Sequence, residues 1–170
     1  VVDLGVGRGA DLGRYREAGV GHLVGVDADR GALSELVRRK FDHAAKGQGK
    51  GTGRRGPVVS ALRADLLADD HAGVLARIRN IPGFPPAGAD AVVCNLAVHY
   101  FAGSPESLGN FAALCRGLVR EDGLVILTLF QGRRVHELLL REKIAPGETW
   151  TSRQDGVVKY ALRRDYAEPE

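Results

Sequence analysis

Short apolar runs alternate with amphipathic segments along most of the chain. Over residues 107–119, for example, apolar side chains recur at helical spacing and create one face that can cover a sheet. Such alternation is typical of βα units, so we predict an α/β fold with a doubly wound, mostly parallel sheet. The predicted strands are 1–5, 22–27, 58–63, 91–96 and 124–130, and the predicted helices are 11–18, 30–43, 72–79, 107–119 and 135–141.

Two segments interrupt this alternation. Residues 44–56 carry five glycines and four cations, too little apolar surface to order the segment, so we predict a flexible surface insertion there. This segment is compatible with a plain solvated loop and also with contact to an RNA backbone. Residues 82–86 (PGFPP) predict a stiff connection into the fourth strand. We find no repeat and no sign of a second domain.

Composition places the chain among soluble globular proteins, with 170 residues, 44% hydrophobic and 26% charged. No apolar stretch suits a membrane span or a secretory leader, so we expect neither membrane insertion nor secretion. Cys94 and Cys115 lie in apolar segments, and we interpret both as core residues in a reducing compartment. The chain contains no methionine and opens on an apolar pair, so we expect an excised domain.

The formal net charge is only +3, but arginine strongly outnumbers lysine among the cations. Five of the 24 basic residues are lysine, which leaves 19 arginines. Arginine suits bidentate contacts with phosphate, although a GC-rich coding sequence also produces arginine. Composition alone does not separate these explanations, so the positions of the arginines have to decide.

The strongest motif is the glycine turn DLGVGRG (3–9), between the first strand and the first helix. Glycines allow a sharp turn and a close approach of the backbone to a ligand. Gly5, Gly7 and Ala10 also satisfy the dinucleotide pattern G-x-G-x-x-G/A, so the turn alone does not distinguish a hydride carrier from a methyl donor.

Acidic residues accompany this turn at the ends of successive strands. Asp27 follows the second strand, where a carboxylate can accept hydrogen bonds from both ribose hydroxyls of an adenosine. Asp65 follows the third strand and can accept from an adenine amino group, while Leu66 covers the ring. Together with Asp3 before the glycines, these acids favour methyl transfer over hydride transfer. Each of them alone is equally compatible with a helix cap or turn residue.

The segment NLAVHYF (95–101) follows the fourth strand. Together with DLGVGRGADLGRY (3–15), VGVDAD (24–29) and RADLL (63–67), it resembles the mRNA cap guanine-N7 methyltransferase family. The resemblance runs from residue 1 to 130 and more faintly to 160. It implies a Rossmann-like class I methyltransferase domain over 1–170, truncated at both ends. It also implies a transfer from S-adenosylmethionine to the guanine of a GpppN RNA end.

The resemblance also suggests roles for individual residues, which join those inferred from the glycine turn and the acids. Asn95 stands where the family usually has the longer Gln, and Arg8 and Arg14 stand where it often has Lys. His99 matches the position that contacts the cap guanine. The resulting methyl-donor residues are Asp3, Gly5, Gly7, Gly9, Asp27, Asp65, Leu66, Asn95 and Tyr100, and the cap residues are Arg8, Arg14, Arg39 and His99.

The implied reaction needs little catalytic machinery. Guanine N7 attacks with a free lone pair and loses no proton, so alignment of nucleophile, methyl carbon and sulfur at about 3 Å is sufficient. We therefore predict no catalytic acid, base or nucleophile and no metal. A small-molecule methyltransferase and a catalytically silent RNA-binding module of a capping assembly are the alternatives.

The resemblance finally concerns what surrounds the domain. It implies a capped RNA 5′ end as partner and a fused or associated RNA triphosphatase/guanylyltransferase. The location would be nuclear if the protein is cellular and cytoplasmic if it is viral. The family has a donor-binding basic residue before the first strand, and an acid and a tyrosine near its end that contact guanine. We expect these outside residues 1–170, so this stretch alone should bind donor weakly and methylate poorly.

Overall fold

A computed structural model of the chain describes residues 1–47 and 56–167. The contacts divide the chain into two compact units, Val1–Leu129 and Phe130–Glu170. The predicted insertion at 44–56 falls largely outside the described residues, although the second helix continues through Gly47. Among the residues that the structure describes, no helix is both long and apolar enough to cross a membrane.

The first unit is built on a five-stranded sheet in the order β3-β2-β1-β4-β5, in which every pair of neighbours is parallel. This arrangement confirms the predicted doubly wound fold. The strands are β1 (Val2–Leu4), β2 (His22–Asp27), β3 (Val58–Arg63), β4 (Ala89–Asn95) and β5 (Val119–Thr128), and the helices are α1 (Leu12–Glu17), α2 (Arg30–Gly47), α3 (His71–Arg79) and α4 (Pro105–Leu118), with a 3₁₀ helix at Val98–Phe101.

Side chains of successive strand residues enter two different hydrophobic cores. On β4, Val92 and Cys94 join the larger core and Val93 joins the smaller one, because alternate residues of a strand point to opposite faces. The larger core packs against α3 and α4, and the smaller one against α1 and α2. Helices therefore cover both faces of the sheet around β1, β2 and β4, whereas Leu124, Val125, Ile126 and Leu127 of β5 are exposed.

Both cysteines belong to the larger core. Burial raises the pKa of the Cys94 thiol to about 12 and that of the Cys115 thiol to about 11. Neither thiol forms a disulfide. Because each stays protonated at neutral pH, the interpretation of both as structural core residues is confirmed.

Side-chain caps start three of the helices in the first unit. Asp29 accepts hydrogen bonds from Gly31 N and Ala32 N at the start of α2. Asp70 accepts from two backbone amides at the start of α3, and Ser104 Oγ accepts from Ser107 N at the start of α4. Such caps satisfy amides that have no partner inside the helix.

The second unit consists of α5 (Gly132–Arg141) and an antiparallel hairpin of β6 (Thr149–Gln154) and β7 (Val157–Arg163). Asp155 and Gly156 both have positive φ, which matches the twist of a two-residue hairpin turn. Within this unit, Arg164 Nη1 donates to Ile144 O at 3.0 Å, and its guanidinium lies over the Tyr166 ring.

Candidate active site

The loops after β1 and β4 meet at the centre of the sheet's carboxyl edge. β1 pairs with β2 on one side and with β4 on the other, so the chain changes direction between them. Gly5 follows β1 with φ +78°, and a Cβ placed on it would lie 2.7 Å from the Cβ of Ala97. Open parallel sheets bind ligands in the crevice at such a point.

The backbone of the glycine turn is approachable at Gly7. This residue has φ +53°, and a Cβ placed on it would meet no atom within 4 Å. Its backbone N–H donates to Asp27 Oδ2 at 2.8 Å, which links the turn after β1 to the end of β2. The hydrogen bond to Asp27 fixes the turn, and the space beside Gly7 leaves its backbone accessible to a ligand.

Asp27 has the geometry expected of a ribose-binding carboxylate. Its Oδ2 accepts from Gly7 N, and its Oδ1 accepts from Asp29 N at 2.9 Å. A carboxylate offers about four acceptor positions, so each oxygen keeps one for a further donor. Two ribose hydroxyls fit these two remaining positions, so the residues present suit an adenosine-containing methyl donor.

Asp65 also acts as a turn residue after β3. Its Oδ1 accepts from Leu67 N at 2.9 Å and from Ala68 N at 3.3 Å. Leu66 is only 8% exposed and packs into the larger core, whereas Leu67 is 59% exposed. Contacts of Asp65 and Leu66 with adenine stay predictions, and the exposed apolar side chain at this corner belongs to Leu67.

A buried acid lies below the glycine turn. Asp3 is 3% exposed, and the Tyr15 hydroxyl donates to its Oδ2 at 2.8 Å. Burial raises the pKa of Asp3 to about 6, against the effect of the Tyr15 hydrogen bond, and the charges of Asp11 and Asp27 raise it further. Its Oδ1 has no hydrogen-bond partner among the described residues. The carboxylate can favour a cationic ligand through its field, while direct contact stays a prediction.

The 3₁₀ helix after β4 presents His99 and Tyr100 to solvent. Residues three apart eclipse one another in such a helix, so Val98 and Phe101 share its inner side and are both buried. Phe101 stacks on Phe111 of α4 with ring centroids 4.4 Å apart, which anchors the turn. The outer rings of His99 and Tyr100 lie 4.2 Å apart, and Tyr100 is 63% exposed, so a planar ligand can reach both.

Asn95 connects several elements at the end of β4. Its Nδ2 donates to Asp11 Oδ2 at 3.0 Å, and the Thr128 hydroxyl donates to its Oδ1 at 2.8 Å. The other oxygen of Asp11 pairs with Arg14. Sequence analysis assigned no role to Asp11 or Thr128, because the contact with Asp11 spans 84 residues and has no local signal.

The predicted cap arginines differ in how they are held. Arg8 is exposed in the glycine turn, and Arg14 is 83% exposed on α1. Arg39 on α2 donates from Nε to Glu35 Oε1 at 2.9 Å. Hydrogen bonds from Arg38 and Arg39 lower the pKa of Glu35 to about 2, so this acid stays charged. No hydrogen bond joins Arg39 or Asp65 to another predicted site residue within the described ranges 1–47 and 56–167.

A glycine turn joined to an acid after β2, at the switch point of a parallel sheet, suits an adenosine-containing ligand and occurs in dinucleotide-binding and methyltransferase domains alike. The chain matches the family described as Methyltransferase domain over residues 2–127. Its fold resembles an S-adenosylmethionine-dependent methyltransferase from Clostridium acetobutylicum (TM-score 0.58, 14% identity, 91% of this chain and 49% of that chain) and DesVI of Streptomyces venezuelae (0.52, 16%, 91% and 50%).

Viral proteins are the most similar in sequence among the relatives described here. The chain is 42% identical over 168 residues to the mRNA-capping enzyme of African swine fever virus, covering 99% of this chain and 19% of that protein. It is 23% identical over 185 residues to the probable mRNA-capping enzyme of Acanthamoeba polyphaga mimivirus, covering 100% and 15%. The chain thus spans less than a fifth of these relatives.

The chain belongs to the methyltransferase-domain family. This confirms the predicted fold and methyl transfer as the class of reaction, and it supports S-adenosylmethionine as the methyl donor.

Proposed function

We propose that this domain transfers the methyl group of S-adenosylmethionine to guanine N7 of a GpppN RNA cap. The observation that carries the proposal is the close approach of the loop after β4, which carries the exposed His99–Tyr100 pair, to the glycine turn. A Cβ placed on Gly5 would lie 2.7 Å from the Cβ of Ala97. Arg8 in the glycine turn and Arg14 on α1 supply cations for a triphosphate. The similarity to viral mRNA-capping enzymes supports this substrate.

The domain's own residues bind and align the substrates in this proposal. Bound S-adenosylmethionine supplies an electrophilic methyl group. Asp27 orients the ribose and Tyr100 contacts the methyl donor, while His99 contacts the guanine and Arg8, Arg14 and Arg39 hold the phosphates. Because N7 attacks with its own lone pair, rate enhancement comes from proximity and orientation. No side chain has to accept a proton.

The proposed partners follow from the same substrate. A capped RNA 5′ end is the methyl acceptor, and RNA triphosphatase and guanylyltransferase activities, fused or associated, produce that end. In a viral setting we place the activity in the cytoplasm, and in a cellular setting in the nucleus.

The test uses full-length protein, radiolabelled S-adenosylmethionine and two RNAs of one sequence that end in GpppA or pppA. We expect label only on the GpppA RNA, released by nuclease digestion as 7-methylguanosine linked to adenosine. Donor binding with no preference for the GpppA end would support the small-molecule methyltransferase alternative. Failure to bind the donor would support the silent RNA-binding module.

A further inference from the structure

The amide of Asn95 joins α1, β4 and β5 at the carboxyl edge of the sheet. It donates to Asp11, which directly precedes α1, and it accepts from Thr128 at the end of β5. The hydrogen bond to Asp11 is partly buried, so water competes weakly for it, whereas the hydrogen bond from Thr128 is exposed. Its side chain is therefore oriented from both ends.

Asp11 uses its carboxylate in an unusual way for its position. It stands at the N-cap of α1, where an aspartate normally accepts from the helix's own amides, a contact worth about 1 kcal/mol. Its side chain makes no cap hydrogen bond. Both oxygens serve other side chains instead, one accepting from Asn95 and the other pairing with Arg14.

Arg14 gains a fixed anchor from this arrangement. An ion pair with one partner so exposed contributes about 0–1 kcal/mol and does not by itself hold a long side chain in one place. Asp11, however, is only 20% exposed and is held on its other oxygen by Asn95. The carboxylate that receives the guanidinium is thus immobilised by the end of β4.

We propose that Asn95 is a positioning residue for the phosphate-binding Arg14 and acts on it through Asp11. The inference rests on the proposed function, in which Arg14 contacts the cap triphosphate. Asn95 also lies four residues before His99, at the start of the segment that holds the guanine. The amide therefore governs capture of capped RNA more than donor affinity.

A double-mutant cycle on full-length protein tests this coupling. We expect Asn95→Ala to raise KM for GpppA RNA about fivefold, and Arg14→Ala about tenfold. The double variant should match Arg14→Ala within twofold, because the amide has no arginine left to position. Calorimetry with S-adenosylmethionine should give a Kd within twofold of wild type in all three. As a control, Ser34→Ala removes an exposed hydrogen bond within α2 and should leave KM unchanged.

Two results would overturn the proposal. Multiplicative effects in the double variant would show that the two residues act independently. A raised donor Kd in Asn95→Ala, with KM for RNA unchanged, would make the amide a donor contact. If wild type methylates no GpppA RNA, the proposed function fails first and this role fails with it.

A milder variant covers the case in which Asn95→Ala unfolds. Thr128→Val keeps the branched shape on β5 and removes only the hydroxyl that donates to Asn95 Oδ1. We expect it to raise KM about twofold, and to have no effect in the Arg14→Ala background. An equal effect in both backgrounds would contradict the positioning role.

Discussion

The donor side and the RNA side of the candidate site are built in opposite ways. On the donor side, Asp3 is buried and Asp27 accepts backbone hydrogen bonds on both oxygens. On the RNA side, His99 and Arg14 are exposed, and Arg14 is held through a neighbouring acid. One half is preorganised by the backbone, whereas the other depends on contacts between side chains.

Substitutions in the two halves should therefore have different effects. Substitutions in the backbone-held half should change donor affinity or the free energy of unfolding. Substitutions in the exposed half should change KM for RNA and its salt dependence, with the fold intact. Four substitutions test this division, from the largest expected effect to the smallest.

Asp27→Ala should weaken S-adenosylmethionine binding about a thousandfold. Two charge-assisted hydrogen bonds to ribose, each worth about 1.5–3 kcal/mol, disappear together with the support for Gly7 N. Titration calorimetry measures the affinity. Asp29→Ala is the matched control, because Asp29 also accepts two backbone amides but caps α2. It should cost about 1 kcal/mol of unfolding free energy and leave donor affinity intact. An equal loss of donor affinity in Asp27→Ala and Asp29→Ala would contradict the assignment of Asp27 to the donor side.

Asp3→Asn should stabilise the fold in a pH-dependent way. Burial raises the pKa of Asp3 from 3.8 to about 6. Between these values the folded state binds more protons than the unfolded state, so wild-type stability falls as pH rises. The Asp3→Asn variant has no carboxyl group to ionise at this position. Its unfolding free energy should therefore exceed that of wild type by a difference that grows from near zero below about pH 4 to about 3 kcal/mol above about pH 7. Urea unfolding at several pH values measures it, and a pH-independent difference would refute the assignment.

His99→Ala should lower kcat/KM for GpppA RNA about thirtyfold, while donor Kd stays within twofold. The loss of a ring contact and a hydrogen bond to guanine corresponds to about 2 kcal/mol. Steady-state methylation and calorimetry give the two quantities separately. His22→Ala, at the start of β2 and thus at the opposite edge of the sheet, should leave both unchanged. Parallel losses of RNA methylation and donor binding in His99→Ala would contradict our division of the site.

Arg39→Ala should have the smallest effect, a rise of about fivefold in KM for GpppA RNA. Removing one phosphate contact should also reduce the slope of log affinity against log salt by about one. Arg38→Ala is the control, because Arg38 lies next to Arg39 and pairs with Glu35 and Asp42. The same slope change in both variants would assign the effect to general charge.

Sequence patterns predicted the fold well, because hydrophobic periodicity and the turn residues between elements are local signals. The predicted strands 22–27 and 58–63 coincide with β2 and β3, because apolar runs separated by amphipathic segments indicate parallel strands. Among the predicted strands β5 differs most, because it begins at Val119, which pairs with Ala89 across a register shift from the Ala91–Leu124 pair. The hairpin of β6 and β7 was not among the predicted strands.

Tertiary contacts around the site could not be predicted in this way. The Tyr15–Asp3 and Asn95–Asp11 hydrogen bonds join residues on different elements. Leu96, at φ +55°, takes a conformation that leucine rarely adopts, held where its N–H donates to Thr128 O. Neither residue type nor spacing signals such pairings, since they arise only once the sheet has formed.

In the proposed reaction, guanine N7 of the cap receives the methyl group. The most direct measurement compares methyl transfer by full-length protein to two RNAs of one sequence, capped with guanosine or with 7-deazaguanosine. The second cap keeps the phosphates and the ring plane but has carbon at position 7, without a lone pair. We expect it to inhibit competitively and to accept no methyl group, whereas methylation of the 7-deazaguanosine cap would contradict the account.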